Sequence, residues 1–233
     1  MKIRSFLVIF AMSSLLHSEE NFGIVVHGGA GVMSGLSEER QQQIHKKIQE
    51  TVSEAYEILE KGGSSLDAVE LAVSMLEDSP LFNAGRGSVY NSDEVQEMDA
   101  SIMDGKNRLS GAVASVTSVK NPIKLARKVA EETKHVLLMG EGAERFAKDI
   151  GVEIVEKDYF YNEERLKRLR NSKKKISKLN ESTDKIGTVG AVALDKNGNI
   201  SAATSTGGMT NKMPGRVGAV SYTHLTLPTK RIV

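Results

Sequence analysis

The stretch Lys185–Thr206, KIGTVGAVALDKNGNISAATST, determines our interpretation of the fold. Two apolar runs flank Asp195–Asn199, and the Asn197-Gly198 pair within that segment is a strong signal for a tight hairpin turn. The sequence therefore predicts two antiparallel strands, the first of which starts at Thr188, directly after a glycine. Threonine at this position is either an ordinary β-branched residue opening a strand or a nucleophile that becomes active when the chain is cut before it.

The chemistry of a cut before Thr188 explains why the second interpretation is worth keeping. Cleavage of the Gly187–Thr188 bond would leave a hydroxyl and a free α-amine on one residue, and such an amine has an ordinary pKa of about 7.7 to 8.0. It can therefore act as a base at neutral pH. Glycine at position 187 lets the hydroxyl approach the preceding carbonyl. From these residues alone, both interpretations of Thr188 stay open.

The segment before this hairpin, residues 156–186, is strongly charged, and we expect it to be a mobile, solvated linker. Its basic residues have few apolar neighbours, and no aromatic residue is interleaved with them after Tyr161. With a net charge of +1 for the whole chain, this pattern predicts no nucleic-acid partner. The basic residues are Arg165, Lys167, Arg168, Arg170, Lys173, Lys174, Lys175 and Lys178.

The remaining chain reads as strands and helices in separate runs, which favours an α+β layer structure over a doubly wound sheet. Capping-box spacing between Ser64 and Asp67 marks the start of one helix. The predicted elements are a strand Ile24–His27, a helix from Ser37 to Gly62, a helix after Ser64, a hairpin turning at Asp104-Gly105, a helix after Asn121-Pro122 and a short helix Glu141–Ile150.

Composition and motif content exclude several kinds of chemistry. The chain has no cysteine, so disulfides, thiolate nucleophiles and cysteine-ligated metal sites are excluded. Its five histidines are scattered without metal-ligand spacing. The HGGAG segment after a strand resembles the oxyanion-hole turn of α/β-hydrolases, but the chain lacks the G-x-S-x-G motif that this class needs. Nucleotide binding is a weak alternative, because no phosphate-binding loop motif is complete.

The N-terminal residues have the layout of a secretory signal peptide. Lys2 and Arg4 precede an apolar run, Phe6–Leu16, that is too short to span a bilayer comfortably. We therefore expect residues 1–18 to be a signal peptide and the protein to be exported, either to a periplasm or out of the cell.

Three segments together closely resemble the plant-type (type III) L-asparaginase/isoaspartyl peptidase family. They are VVHGGAG (25–31), LFNAGRGSVYNSDEVQEMDASIMDG (81–105) and GTVGAVALDKNGNISAATSTGGMTNKMPGRVG (187–218). The resemblance implies an N-terminal nucleophile hydrolase with a four-layer αββα sandwich, made as a precursor that cleaves itself into two chains. Residues 19–187 would then belong to the α subunit and residues 188–218 to the start of the β subunit.

The resemblance also assigns roles to individual residues. Thr188 would be the nucleophile released by cleavage after Gly187, Thr206 would orient it, and Asn83 would assist the cleavage. Arg216 would bind the substrate α-carboxylate, with Gly218 beside it in the substrate site. A structural sodium ion would be held by backbone carbonyls of the loop formed by Leu76, Glu77, Ser79, Phe82, Ala84 and Arg86, while catalysis itself would need no cofactor.

The implied substrates are isoaspartyl dipeptides and L-asparagine, and the implied assembly is a homodimer of αβ units. After Gly218 the family continues with Asp-Ser-Pro, whereas this chain has Ala219-Val220 and then SYTHLTLPTKRIV. We expect residues 219–233 to be a non-native tail, the sandwich to be incomplete and the chain as written to be inactive. Glycosylasparaginase activity and an inert or binding-only fragment remain the alternatives.

Overall fold

The computed structural model describes residues 21–29, 35–176 and 187–218. Short 3₁₀ turns lie at Gly85–Gly87 and Lys157–Phe160. The strands are β1 (Gly23–His27), β2 (Met98–Asp104), β3 (Leu109–Val116), β4 (Leu137–Met139), β5 (Val189–Leu194) and β6 (Ile200–Thr206). The helices are α1 (Glu38–Glu60), α2 (Ser65–Glu77), α3 (Pro122–Glu132), α4 (Gly140–Asp149) and α5 (Glu163–Ile176).

These strands form one six-stranded sheet in the order β1-β5-β6-β2-β3-β4. Every neighbouring pair is antiparallel except β3 and β4. Both predicted hairpins, β2–β3 and β5–β6, are confirmed, and so is the α+β class. Strand β4 was not predicted, since three residues are too few to give a periodic pattern.

The helices cover one face of this sheet. Helix α2 packs on β5 and β6, while α3 packs on β2 and β3. Along β5, Ala191 and Ala193 are buried, whereas Val192 between them is 46% exposed on the opposite face. Val25 pairs with Val192 and is 73% exposed. The described residues therefore supply one sheet and its helical layer, and the second sheet of a four-layer sandwich does not occur among them.

Local signals account for the helix boundaries. The Ser64 hydroxyl accepts the Asp67 N–H at 3.1 Å and donates to the Asp67 carboxylate at 2.6 Å, so the predicted cap of α2 is confirmed. Gly62, with φ +83°, follows the end of α1. Among the residues described, no helix has both the length and the apolar content needed to cross a membrane.

The prediction of a mobile linker over residues 156–186 is wrong for residues 156–176. This part forms the 3₁₀ turn Lys157–Phe160 and helix α5, in which Phe160 and Leu169 are buried. Glu163 pairs with Lys167 at 2.7 Å and Glu164 pairs with Arg168, both at i,i+4 spacing. Such pairs support a helix even in a highly charged segment.

Several predictions fall on residues outside the described ranges. They are the signal peptide at residues 1–18, the remainder of the linker at 177–186 and the non-native tail at 219–233. The division into an α and a β subunit also stays a prediction.

Candidate active site

The two threonines singled out by the sequence meet at the end of the central hairpin. In the β5–β6 register Val189 pairs with Ser205, which places Thr188 opposite Thr206. The Thr188 hydroxyl donates to Thr206 Oγ1 across 2.9 Å, and the same oxygen accepts the Gly208 N–H at 3.0 Å. Thr206 is 1% exposed, while Thr188 is half-buried. One hydroxyl is thus fixed within the core, and it orients a second one that is partly open to solvent.

Asn83 holds the turn that follows Thr206. Its side-chain amide donates to Gly208 O at 2.7 Å, and its Oδ1 accepts the Val89 N–H at 3.0 Å. Its backbone carbonyl accepts the Gly207 N–H at 3.1 Å. Asn83 is fully buried, so these bonds are shielded from water. The structure therefore brings Asn83 to the same turn as Thr206.

Gly29, two residues after the end of β1, lies against the bond that would be cut. A Cβ atom built on Gly29 would lie 2.6 Å from the carbonyl carbon of Gly187 and 2.7 Å from its carbonyl oxygen. Gly29 also has φ +114°, a conformation that side chains of L-residues rarely adopt. The sequence identified this glycine only as part of the VVHGGAG segment. Its close approach to Gly187 depends on the pairing of β1 with β5, which residue type alone does not reveal.

Arg216 and Gly218, the predicted substrate-binding residues, lie on the other side of Thr206. A Cβ on Gly218 would come within 2.7 Å of Thr206 Cγ2, and a Cβ on Gly208 would come within 3.4 Å of Arg216 Nη1. Arg216 is half-buried. A half-buried guanidinium group beside Gly208, which is bonded to Thr206, suits an anionic substrate.

Sequence reasoning missed a group of buried charges beside this turn. Asp99 is fully buried and accepts the Ser115 N–H at 3.0 Å and the Gly218 N–H at 2.6 Å. Burial raises the pKa of Asp99, although Lys212 and these two N–H groups oppose the shift. Burial also lowers the pKa of the Lys212 ammonium, against the attraction of Asp99 and Glu97. An available signal was the charged Asp99 inside the mostly apolar stretch MDASIM of β2.

Two glycines of the loop predicted to hold sodium lie directly against backbone carbonyls of the same loop. A Cβ on Gly85 would lie 2.4 Å from Glu77 O, and one on Gly87 would lie 2.0 Å from Phe82 O. The Leu76 and Ala84 carbonyls accept the N–H groups of Ser79 and Gly87. Leu76, Phe82 and Ala84 have apolar side chains, so they can offer a cation only their carbonyls. Within the described ranges no group of three or more His, Cys, Asp or Glu residues could hold a metal ion.

The side chain of Glu77 points to a structural role. Glu77 Oε1 accepts the Ile123 N–H at the start of α3 at 3.1 Å, and the residue is fully buried. Burial raises the pKa of Glu77 to about 8, an effect that the nearby Ser205 hydroxyl, Ile123 N–H and Asn121 only partly offset. At neutral pH this carboxyl group is therefore largely protonated.

Comparison with known proteins adds independent findings. A family model described as asparaginase matches residues 20–222. The chain is 50% identical over 198 residues to the isoaspartyl peptidase/L-asparaginase of Rattus norvegicus, covering 84% of this chain and 58% of that protein. The isoaspartyl peptidase/L-asparaginase of Homo sapiens is 48% identical, with 84% and 63% covered. The isoaspartyl peptidase of Escherichia coli (strain K12) is 45% identical, with 84% and 64% covered. The chain thus spans less than two thirds of the length of each of these relatives.

Proposed function

Because the chain belongs to the asparaginase family, we propose that it acts as a threonine amidohydrolase on isoaspartyl dipeptides and L-asparagine, with Thr188 as the nucleophile. The observation that carries this proposal is the 2.9 Å hydrogen bond between the hydroxyls of Thr188 and Thr206 directly beside the Gly187–Thr188 bond. The names of the relatives support the substrate class.

The first step is self-cleavage. Thr188 Oγ1 attacks the carbonyl carbon of Gly187, its proton passes to the Thr188 nitrogen, and the Gly187 C–N bond breaks as an ester forms. The nitrogen released becomes the α-amine of Thr188. Water then hydrolyses the ester, leaving a carboxylate on Gly187 and restoring the hydroxyl. Gly29 suits this step, since its missing side chain leaves the Gly187 carbonyl accessible.

The catalytic cycle uses the products of that cleavage. The free α-amine of Thr188 accepts the hydroxyl proton as Oγ1 attacks the side-chain amide of asparagine or the isopeptide carbonyl. The carbonyl–nitrogen bond breaks, ammonia or an amino acid leaves with the proton, and an acyl ester remains on Thr188. Water hydrolyses this ester to release aspartate. Thr206 keeps the Thr188 oxygen pointed at the carbonyl throughout, and Arg216 binds the α-carboxylate.

We propose that the carbonyl loop from Leu76 to Arg86 holds an alkali cation such as sodium. Supporting this, the Glu77 and Phe82 carbonyls crowd the glycines at 85 and 87, and three of the six loop residues, Leu76, Phe82 and Ala84, can offer only a backbone carbonyl. Hard cations of low charge favour such neutral oxygen ligands. The ion would stabilise the loop that carries Asn83 and would take no part in the bond-breaking steps.

Export through residues 1–18 and assembly as a dimer of αβ units also belong to the proposal. The N-terminal charge and apolar pattern supports the first. The resemblance to the family supports the second. Gel filtration of the processed protein and cell fractionation test the two separately.

The main test uses the complete product of the source gene, because the chain spans less than two thirds of its relatives. Intact-mass analysis should find a fragment that begins at Thr188, and the purified protein should hydrolyse isoaspartyl-leucine. Thr188→Ala should abolish both properties, whereas Thr133→Ala, at the end of α3, should retain them. Turnover by Thr188→Ala, or hydrolysis only of N-acetylglucosaminyl-asparagine, would contradict the proposal, the second outcome in favour of glycosylasparaginase.

A further inference from the structure

A buried lysine, Lys212, lies beside the turn that follows Thr206 and has no part in the reaction proposed above. The Lys212 side chain is 0% exposed, and its ammonium donates to the Glu97 backbone carbonyl at 2.8 Å. Lysine is among the residues least often found fully buried. Such a placement needs a compensating arrangement of charge around it.

Two carboxylates supply that compensation. Asp99 and Glu97 both attract the Lys212 ammonium, and Glu97 Oε2 lies 3.9 Å from Lys212 Nζ. Arg216 is the fourth charged residue at this place, and its positive charge lowers the pKa of both Asp99 and Lys212. We call Glu97, Asp99, Lys212 and Arg216 the charge cluster, of which Asp99 and Lys212 are buried. Its two positive and two negative charges balance.

Lys212 also connects two separate loops. Its backbone carbonyl accepts the Ser92 N–H at 2.8 Å, while its ammonium bonds to the Glu97 carbonyl. The Glu97 carboxylate in turn accepts the Gly215 N–H at 3.0 and 3.1 Å. The segment after Thr206 is therefore tied to residues 92–97 at several points, and Lys212 makes two of these bonds itself.

The stem of Lys212 and the guanidinium of Arg216 meet at Gly208. The Cβ position of Gly208 lies 3.0 Å from Lys212 Cδ, 3.3 Å from Lys212 Nζ and 3.4 Å from Arg216 Nη1. Gly208 itself is bonded to Thr206 through its N–H and to Asn83 through its carbonyl. The side chains of Lys212 and Arg216 thus both approach Gly208, whose backbone is hydrogen-bonded to Thr206 and Asn83.

We propose that Lys212 is a positioning residue for Arg216 and thereby sets the affinity of the site for the substrate α-carboxylate. The Lys212 stem fills the space beside the guanidinium, and its ammonium repels the guanidinium away from the protein interior. Asp99 and Glu97 hold the ammonium in place. Arg216 is then presented to the substrate in one orientation, which a bidentate bond to a carboxylate requires. This inference rests on the proposed function.

The test compares Lys212→Met with wild type in the complete gene product, using L-asparagine and its analogue without the α-carboxylate, 3-aminopropanamide. Methionine keeps an unbranched stem and removes the charge. We expect KM for L-asparagine to rise about tenfold while kcat changes by less than about threefold. The preference for L-asparagine over 3-aminopropanamide should fall by about tenfold. Cleavage before Thr188 should persist in the intact mass, and Lys124→Met, an exposed lysine of α3, should behave as wild type.

A purely structural role would lower kcat/KM equally for both substrates, and that result would overturn the inference. If Lys212→Met does not fold, Glu97→Gln removes one anion and retains the carbonyl that Lys212 bonds. It should shift the substrate preference in the same direction, and an unchanged preference would overturn the inference. Inactive wild-type protein would instead refute the proposed function, and with it the role of Arg216 on which this inference depends.

Discussion

Replacing Gly29 by alanine should slow cleavage of the Gly187–Thr188 bond without unfolding the protein. The added Cβ would lie 2.7 Å from the Gly187 carbonyl oxygen, whereas ordinary contacts of this kind begin at 3.4 Å. Gly187 or Gly29 must therefore move by roughly 0.7 Å, and misplacement of a reacting group by about 1 Å costs about 10²-fold in rate. The φ of +114° adds strain that favours the same displacement.

The assay is a time course of freshly synthesised complete protein, followed by intact mass. Gly23→Ala is the matched control, because Gly23 begins β1, the strand that Gly29 follows by two residues, and a Cβ there meets nothing within 4 Å. We expect the control to cleave at the wild-type rate and Gly29→Ala to cleave about 10²-fold more slowly. Thermal unfolding of both precursors checks that the fold is retained. Equal cleavage rates in the two variants would refute the argument that close backbone approach at Gly29 enables the reaction.

Three further predictions concern stability. Folding raises the pKa of Glu77 from 4.5 to about 8, so between these pH values the folded protein holds a proton that the unfolded chain has lost. The free energy of unfolding should therefore fall by about 1.4 kcal/mol for each pH unit in this range. Glu77→Gln should flatten this dependence in chemical denaturation, and an unchanged slope would assign it to other groups. Exchange of sodium for tetramethylammonium should lower the melting temperature, since a ligand bound only to the folded state stabilises it, and no change would argue against a cation in the loop. Leu169→Ala should reduce the free energy of unfolding by about 2 to 5 kcal/mol, because this side chain of α5 is fully buried. A loss below that of the half-buried Leu166→Ala would mean that α5 does not pack as described.

The sequence was most informative where structure is determined locally. The Asn197-Gly198 turn and the capping pair Ser64 and Asp67 act over a few residues, so the β5–β6 hairpin and the start of α2 were predictable. Strand β4 has only three residues and pairs in parallel with β3 across the intervening helix α3, so no local pattern indicates it. Helix α5 was missed because its charges were counted for their density, whereas their i,i+4 spacing was the useful signal.

In the candidate site, too, some residues could be identified from the sequence and others depend on long-range packing. Thr188 and Thr206 were identified by resemblance, and the hairpin register explains why their hydroxyls meet. Asp99 and Lys212 were not found, because charged residues are normally solvated and their burial depends on how distant loops close over them. The contact of Gly29 with Gly187 likewise arises from the pairing of the first strand with the fifth.

The sheet order has a consequence for the protein after cleavage. Strands β5 and β6 lie between β1 on one side and β2 on the other, so a cut before Thr188 leaves one polypeptide inserted into the middle of another. The two pieces are then held together by backbone hydrogen bonds between β1 and β5 and between β6 and β2. Neither piece can leave without exposing unpaired strand edges on the other. Each αβ unit would then be a noncovalent heterodimer, whose refolding after denaturation depends on concentration. Mixing separately expressed pieces would have to rebuild the centre of the sheet, so reconstitution should be slow and the proposed cleavage would be effectively irreversible.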